Sequence, residues 1–258
     1  MAGPLTEETD TPAATNIGVG GQAANVAAWV SALGRQSRLI AVRGTDPGAE
    51  LVSAELARRG VQLVGPVVPG STGVVVSLSS GGRRRSMLTD RGVGAELEAG
   101  AISPDWLDGC QWLHLSGYAL AREPMRTAAI RAAREAIRRS VSLAVDLSST
   151  AMIEAYGVAS FRALIASINP DVVFGTEAEA ALLGESMTTG TLSGPGTLIV
   201  KLGAEGVRVA GEHYPAPPTI AVDSTGAGDA FAAGYLVGGV DLGLAAAARA
   251  VAKMGAMP

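Results

Sequence analysis

Cysteine is almost absent from these 258 residues, and the single Cys110 cannot form an internal disulfide. Histidine is equally scarce, with only His114 and His213, so a Cys/His zinc cluster is excluded. Basic charge is in short supply as well: 20 Lys and Arg stand against 24 Asp and Glu, and the net charge of -4 argues against general nucleic-acid binding. Charges interrupt every apolar run before it reaches the roughly 20 residues of a membrane span, so a soluble protein without a membrane partner is expected. Met1 to Asn16 lack the basic start and apolar stretch of a secretory signal, which makes a cytoplasmic location the expectation. No repeat or long linker is visible, so residues 1–258 read as a single domain, large enough to bury about three quarters of its unfolded surface.

What is present is an alternation of strands and helices. Val26, Val30 and Leu33 recur at helical spacing, with Gly34 as a C-terminal stop. Arg38 to Val42 reads as a strand, and Asp46-Pro47 as the cap and first residue of a helix ending near Gly60. Between Thr72 and Asp90 the period falls to two, with Val74, Val76 and Leu78 opposed by Ser77 and Ser79. Gly81-Gly82 supplies a tight turn, so a β-hairpin is expected at about 72–92. Such a hairpin can close over a ligand or pair with a second subunit. Arg83, Arg84 and Arg85, the one basic run, read as its solvated edge.

Strands follow at Trp112 to Leu115, Leu143 to Asp146, Val172 to Phe174, Leu198 to Leu202 and Val207 to Ala210. The helices between them run from Arg122 to Arg139, near Phe161 to Ile168, and from Glu177 to Gly184. A helix starting near Ala227 and an Ala-rich one from Leu242 to Lys253 complete the series. The alternation predicts an α/β fold of three layers, a mainly parallel central sheet covered by helices with a small β lid.

The string Asp223-Ser224-Thr225-Gly226-Ala227-Gly228-Asp229-Ala230-Phe231 combines what phosphoryl transfer needs. Gly226 and Gly228 let amides at a helix start approach a phosphate, and the helix dipole adds positive potential. Asp229 in the same turn can take a proton from an attacking alcohol. A bare Gly-x-Gly-Asp turn is more often only a helix start whose aspartate caps or faces solvent.

The longer string, continued by Ala-Ala-Gly-Tyr-Leu, resembles the C-terminal signature of the ribokinase, or PfkB carbohydrate kinase, family. Gly20-Gly21-Gln22-Ala23-Ala24-Asn25-Val26-Ala27 followed by Leu33-Gly34 is similar to its N-terminal signature. The resemblance implies an ATP-dependent kinase phosphorylating a hydroxyl of a small sugar, with nucleosides as alternative substrates and a catalytically weakened sugar-binding relative as a further alternative. It implies Asp229 as catalytic base, with Gly226, Ala227 and Gly228 as the anion hole. Gly21 and Asn25 become substrate contacts, and Lys201, Gly203, Gly206 and Thr225 join the glycine turn in nucleotide binding. Glu179 is implied as a Mg²⁺ residue acting through water, and Asp223 as part of a K⁺ site. A homodimer through the lid hairpin is the expected assembly.

Three departures from the family pattern stand out. The usual first strand, ending in a sugar-binding aspartate, has no convincing counterpart before Gly20, and Asp10 is not obviously that residue. Thr176 replaces the asparagine of Asn-x-x-Glu. The segment 183–197 is rich in Gly, Ser and Thr where a covering helix is usual. A competing fingerprint, Gly18-x-Gly20-x-x-Ala23, fits dinucleotide-binding dehydrogenases but needs a strand before it, which residues 14–17 make poorly.

Overall fold

The computed structural model describes residues 13–79, 85–184 and 196–258. The readings on Asp10, on the Gly81-Gly82 turn with Arg83 and Arg84, and on most of the 183–197 segment lie outside those residues.

The chain runs α1 (Gln22–Ala32), β1 (Ser37–Ile40), α2 (Pro47–Arg58) and β2 (Val61–Val64). Asp46 caps α2 as its sequence predicts, its carboxylate accepting from Ala49 N at 3.2 Å, with Pro47 at the first helical position. The hairpin follows as β3 (Thr72–Ser79) and β4 (Arg85–Gly92), antiparallel with Val76 opposite Leu88. Then come β5 (Trp112–Ser116), α3 (Met125–Arg138), β6 (Ser142–Asp146), α4 (Thr150–Tyr156), α5 (Val158–Ile168), β7 (Val172–Thr176) and α6 (Glu177–Leu182). The last elements are β8 (Thr197–Lys201), β9 (Val207–Val209), β10 (Glu212–Tyr214) and α7 (Ala227–Val251).

The central sheet has the order β10-β9-β8-β7-β6-β5. Neighbours from β5 to β8 are parallel, while β9 runs antiparallel to β8 and β10 antiparallel to β9. β1 and β2 form a separate parallel pair. Alternate strand residues go to opposite faces, as a period of two requires. Leu113, Leu143, Val145, Val173, Leu198 and Val200 pack with α3, α5 and α6, whereas Ala144, Phe174 and Ile199 pack with α1 and α7. These are the two covering layers.

By length and hydropathy α7 could cross a membrane. In the fold it is a core helix broken at Gly238 and Gly239, and its first half buries Ala230, Phe231, Ala232 and Ala233. Phe231 and Tyr235 meet the fully buried Phe174 edge-on, at 6.2 and 5.7 Å between ring centroids. Burying such side chains contributes about 1.5–3 kcal/mol each, enough to fix the start of α7 above the sheet. The parallel strands end at Ser116, Asp146, Thr176 and Lys201, so these four residues lie along one edge of the sheet, beneath that helix start.

Candidate active site

The glycine turn is held from below. Asp223 Oδ1 accepts from Thr225 N at 2.9 Å and from its hydroxyl at 2.5 Å, and Oδ2 accepts from Gly255 N at 3.0 Å. Gly226 is left-handed at φ 75, and a Cβ there would stand 2.6 Å from the Ala256 Cβ. Only glycine fits both the angle and the space. α7 begins at the next residue, and its first amides have no partners inside the helix. The Ala227 amide, expected in the anion hole, already donates to Ser224 O at 3.3 Å, so an anion approaching the turn meets the other first amides and the positive end of the dipole.

Asp229, in the first turn of α7, accepts a hydrogen bond from Asn25 Nδ2 at 2.7 Å. Burial pushes its carboxyl up to about 6; the Asn25 bond opposes this, the Asp146 charge adds to it and Lys201 pulls back. A base poised there is ionised at neutral pH yet still able to hold a proton. Asn25 is itself buried, and among the described residues its Oδ1 has no hydrogen-bond partner. One side chain thus steadies the carboxylate and leaves an acceptor beside it. Gly21, at φ 102, precedes the helix that carries Asn25 and accepts from Asn25 N at 2.9 Å.

Lys201 was expected at the nucleotide. Its ammonium instead turns inward and bonds Asp146 Oδ2 at 2.7 Å, with side-chain exposures of only 15% and 1%. Beside this pair, Gln22 Oε1 accepts from the Ser116 hydroxyl and, at 2.6 Å, from Ser148. Gly203 begins a turn after β8, and Gly206 packs against the Tyr214–Ala216 backbone.

Glu179 is buried on α6 and closes a capping box: Thr176 Oγ1 accepts from Glu179 N at 3.3 Å, and Glu179 Oε2 accepts from Thr176 N at 2.8 Å. The threonine therefore fulfils the capping function for which an asparagine would also serve. Among the described residues no three His, Cys, Asp or Glu side chains gather as a metal cage. Among the described residues no hydrogen bond reaches the other carboxylate oxygen of Glu179, which suits Mg²⁺, a cation that keeps several waters and leans on substrate phosphates.

A cavity of about 2290 Å³ opens between β1 and β5, walled by Gly21, Gln22, Ser116 and Tyr118 and by hairpin residues including Val74, Val76 and Arg91. Small-ligand pockets usually measure about 300–1,000 Å³, so the space exceeds one small substrate. Asn25 and Asp229 do not line it, but Gln22 stands one helical turn before Asn25, so the two regions adjoin. The dehydrogenase alternative fails locally. Residues 13–21 contain no strand, and Asp46 is committed to Ala49 and Thr72.

Sequence reasoning did not single out Asp146, Ser148 or Gln22 as site residues. Asp146 carries a usable signal, an acid ending a parallel strand where ligands gather.

Comparison with known proteins adds a separate line of support. Residues 3–257 match the family model described as pfkB family carbohydrate kinase. A fructokinase from Klebsiella pneumoniae is 34% identical over 241 residues, which is 85% of this chain and 76% of that protein. Among solved structures, an adenosine kinase from Sinorhizobium meliloti superposes with a TM-score of 0.85 at 26% identity, covering 93% of this chain and 79% of that one. A ribokinase from Thermotoga maritima shares the fold at TM-score 0.80 and 22% identity, covering 100% and 91%.

Proposed function

The chain belongs to the pfkB family of carbohydrate kinases, and on that premise we propose that it moves the γ-phosphoryl group of ATP onto a hydroxyl of a small sugar, with Asp229 as the base. The observation that carries the assignment is the Asn25–Asp229 contact at the start of α7, where a buried carboxylate with a raised pKa sits beside open helix amides.

A sugar hydroxyl donating to the Asp229 carboxylate, with a neighbouring hydroxyl donating to Asn25 Oδ1, would be oriented by both. Asp229 takes the proton as the oxygen attacks, and the amides of the glycine turn stabilise the charge on the transferring group. Mg²⁺, held through water by Glu179, would neutralise phosphate charge; Asp223 shapes the turn through the Thr225 and Gly255 amides and is also assigned to a K⁺ site beside it. The hairpin residues in the cavity wall support its role as a lid that excludes water from the transfer. Val74, Val75, Val76, Met87 and Leu88 are all about half exposed, which favours a homodimer through the hairpin. A cytoplasmic setting, where ATP is the donor, agrees with this reading.

An assay coupled to ADP release, with ATP and a panel of fructose, ribose, ribose 1-phosphate and adenosine, tests the reaction. ADP release that depends on one of these acceptors supports it. No acceptor-dependent release from any sugar or nucleoside would refute it. The nucleoside arm is included because of the structural likeness to the adenosine kinase.

A further inference from the structure

We infer that Lys201 is a positioning residue that acts through Asp229, its ammonium lying under the glycine turn and offsetting the buried charge of Asp146. This rests on the reading of Asp229 as the base.

The geometry is specific. Lys201 ends β8 and Asp146 ends β6, and their contact at 2.7 Å spans the end of β7 between them. A Cβ built on Gly228 would stand 3.3 Å from Lys201 Nζ and 3.5 Å from its Cδ. The cation therefore lies against the backbone of the residue immediately before Asp229. A lysine serving a nucleotide would point its amine into solvent or a cleft, whereas this one is enclosed by strand ends and turn.

Placed there, the ammonium has one main electrostatic task. The groups facing Asp229 are Asp146 from β6, Lys201 from β8 and the neutral Asn25 from α1; Glu179 of α6 acts on Lys201, and His114 of β5 lies near Asp146 and Lys201. Burial pushes His114 down to about 4, so it adds no charge at neutral pH. Burial also works against the charge on Lys201, but Asp146, then Glu179 and Asp229, outweigh it and hold its pKa above the ordinary value. The ammonium stays charged. Without it, Asp146 would face Asp229 as an uncompensated anion in a medium of low dielectric, and Asp229 would keep its proton to higher pH.

The test follows the titration of Asp229 in the full chain without substrate, by ¹³C NMR of carboxyl-labelled aspartate. The Asp229 signal is the one missing from Asp229→Asn. Lys201→Met should raise the midpoint, with proton affinity up about tenfold. The double variant Lys201→Met/Asp146→Asn should restore it near wild type, because both charges leave together. Isothermal titration should find ATP affinity within about threefold of wild type in both, since a positioning role leaves nucleotide binding alone.

An unmoved midpoint in Lys201→Met overturns the inference, as does ATP binding weakened tenfold with the midpoint unchanged. Should Lys201→Met fail to fold, as breaking a buried pair can cause, Asp146→Asn decides: its midpoint should fall below wild type, and an unchanged one overturns the inference. Failure of the base assignment looks different, because Asp229→Asn would then retain turnover whatever these titrations show.

Discussion

Asn25 and Asp229, 204 positions apart in the chain, meet through one 2.7 Å hydrogen bond that joins the first turns of α1 and α7. The bond stabilises the ionised carboxylate, so its loss shifts activity along the pH axis. Wild-type kcat/KM should rise with pH through about 6 as Asp229 loses its proton. Asn25→Ala should move that rise to higher pH, costing more activity at pH 6 than at pH 8. A parallel loss at both pH values would show that Asn25 only holds substrate.

Asp229→Asn should lower turnover about 10²- to 10⁴-fold while ATP still binds. The same change should stabilise the fold. Burial raises this carboxyl from its ordinary 3.8 to about 6, so the ionised form penalises the folded state above about pH 6 and the penalty vanishes below the unfolded value. At about 1.4 kcal/mol per tenfold change in proton affinity, the neutral amide should gain up to about 3 kcal/mol at pH 7 and nothing near pH 3. Urea melts at the two pH values measure the difference.

Gly226→Ala and Gly228→Ala should separate backbone strain from side-chain crowding. The first meets a positive φ and the Ala256 backbone, 2.7 Å from the new methyl at Cα, and should cost both stability and nearly all turnover. The second meets only the end of the Lys201 side chain, at 3.3 Å, so it should cost less stability than the first while pressing on the Lys201–Asp146 pair and moving the pH profile. Thermal melts alongside rates distinguish them.

The hairpin carries two predictions of its own. Amide exchange across Thr72–Ser79 should slow when ATP and an active acceptor are both present; unchanged exchange would remove the lid role. Val75→Ser with Met87→Ser should shift a dimer to monomer in light scattering, since both side chains are more than half exposed on the single chain.

The parts of this fold that were legible in sequence are those set by local chemistry. Asp46-Pro47 announced α2, alternating valines announced β3, and the glycine string announced the start of α7. α4 escaped because seven residues between a Ser149 cap and Gly157 are too few to display a helical period, and β2 and β10, at four and three residues, are shorter still. The antiparallel setting of β9 between β8 and β10 was hidden for the same reason. At the site, Asp229 and Asn25 could be read from their motifs. The inward turn of Lys201 could not, because its partner lies 55 residues away and the two meet only once β6, β7 and β8 are ordered side by side.

The residues after α7 have a use that their simple sequence conceals. Ala256 receives the Trp29 indole N–H at 2.8 Å and backs onto Gly226, Gly255 donates to Asp223, and the Pro258 carbonyl accepts from Arg59. They form a footing on which α1, α2 and the transfer turn all rest. Replacing Gly255 and Ala256 by bulkier residues would therefore disturb the glycine turn from a distance.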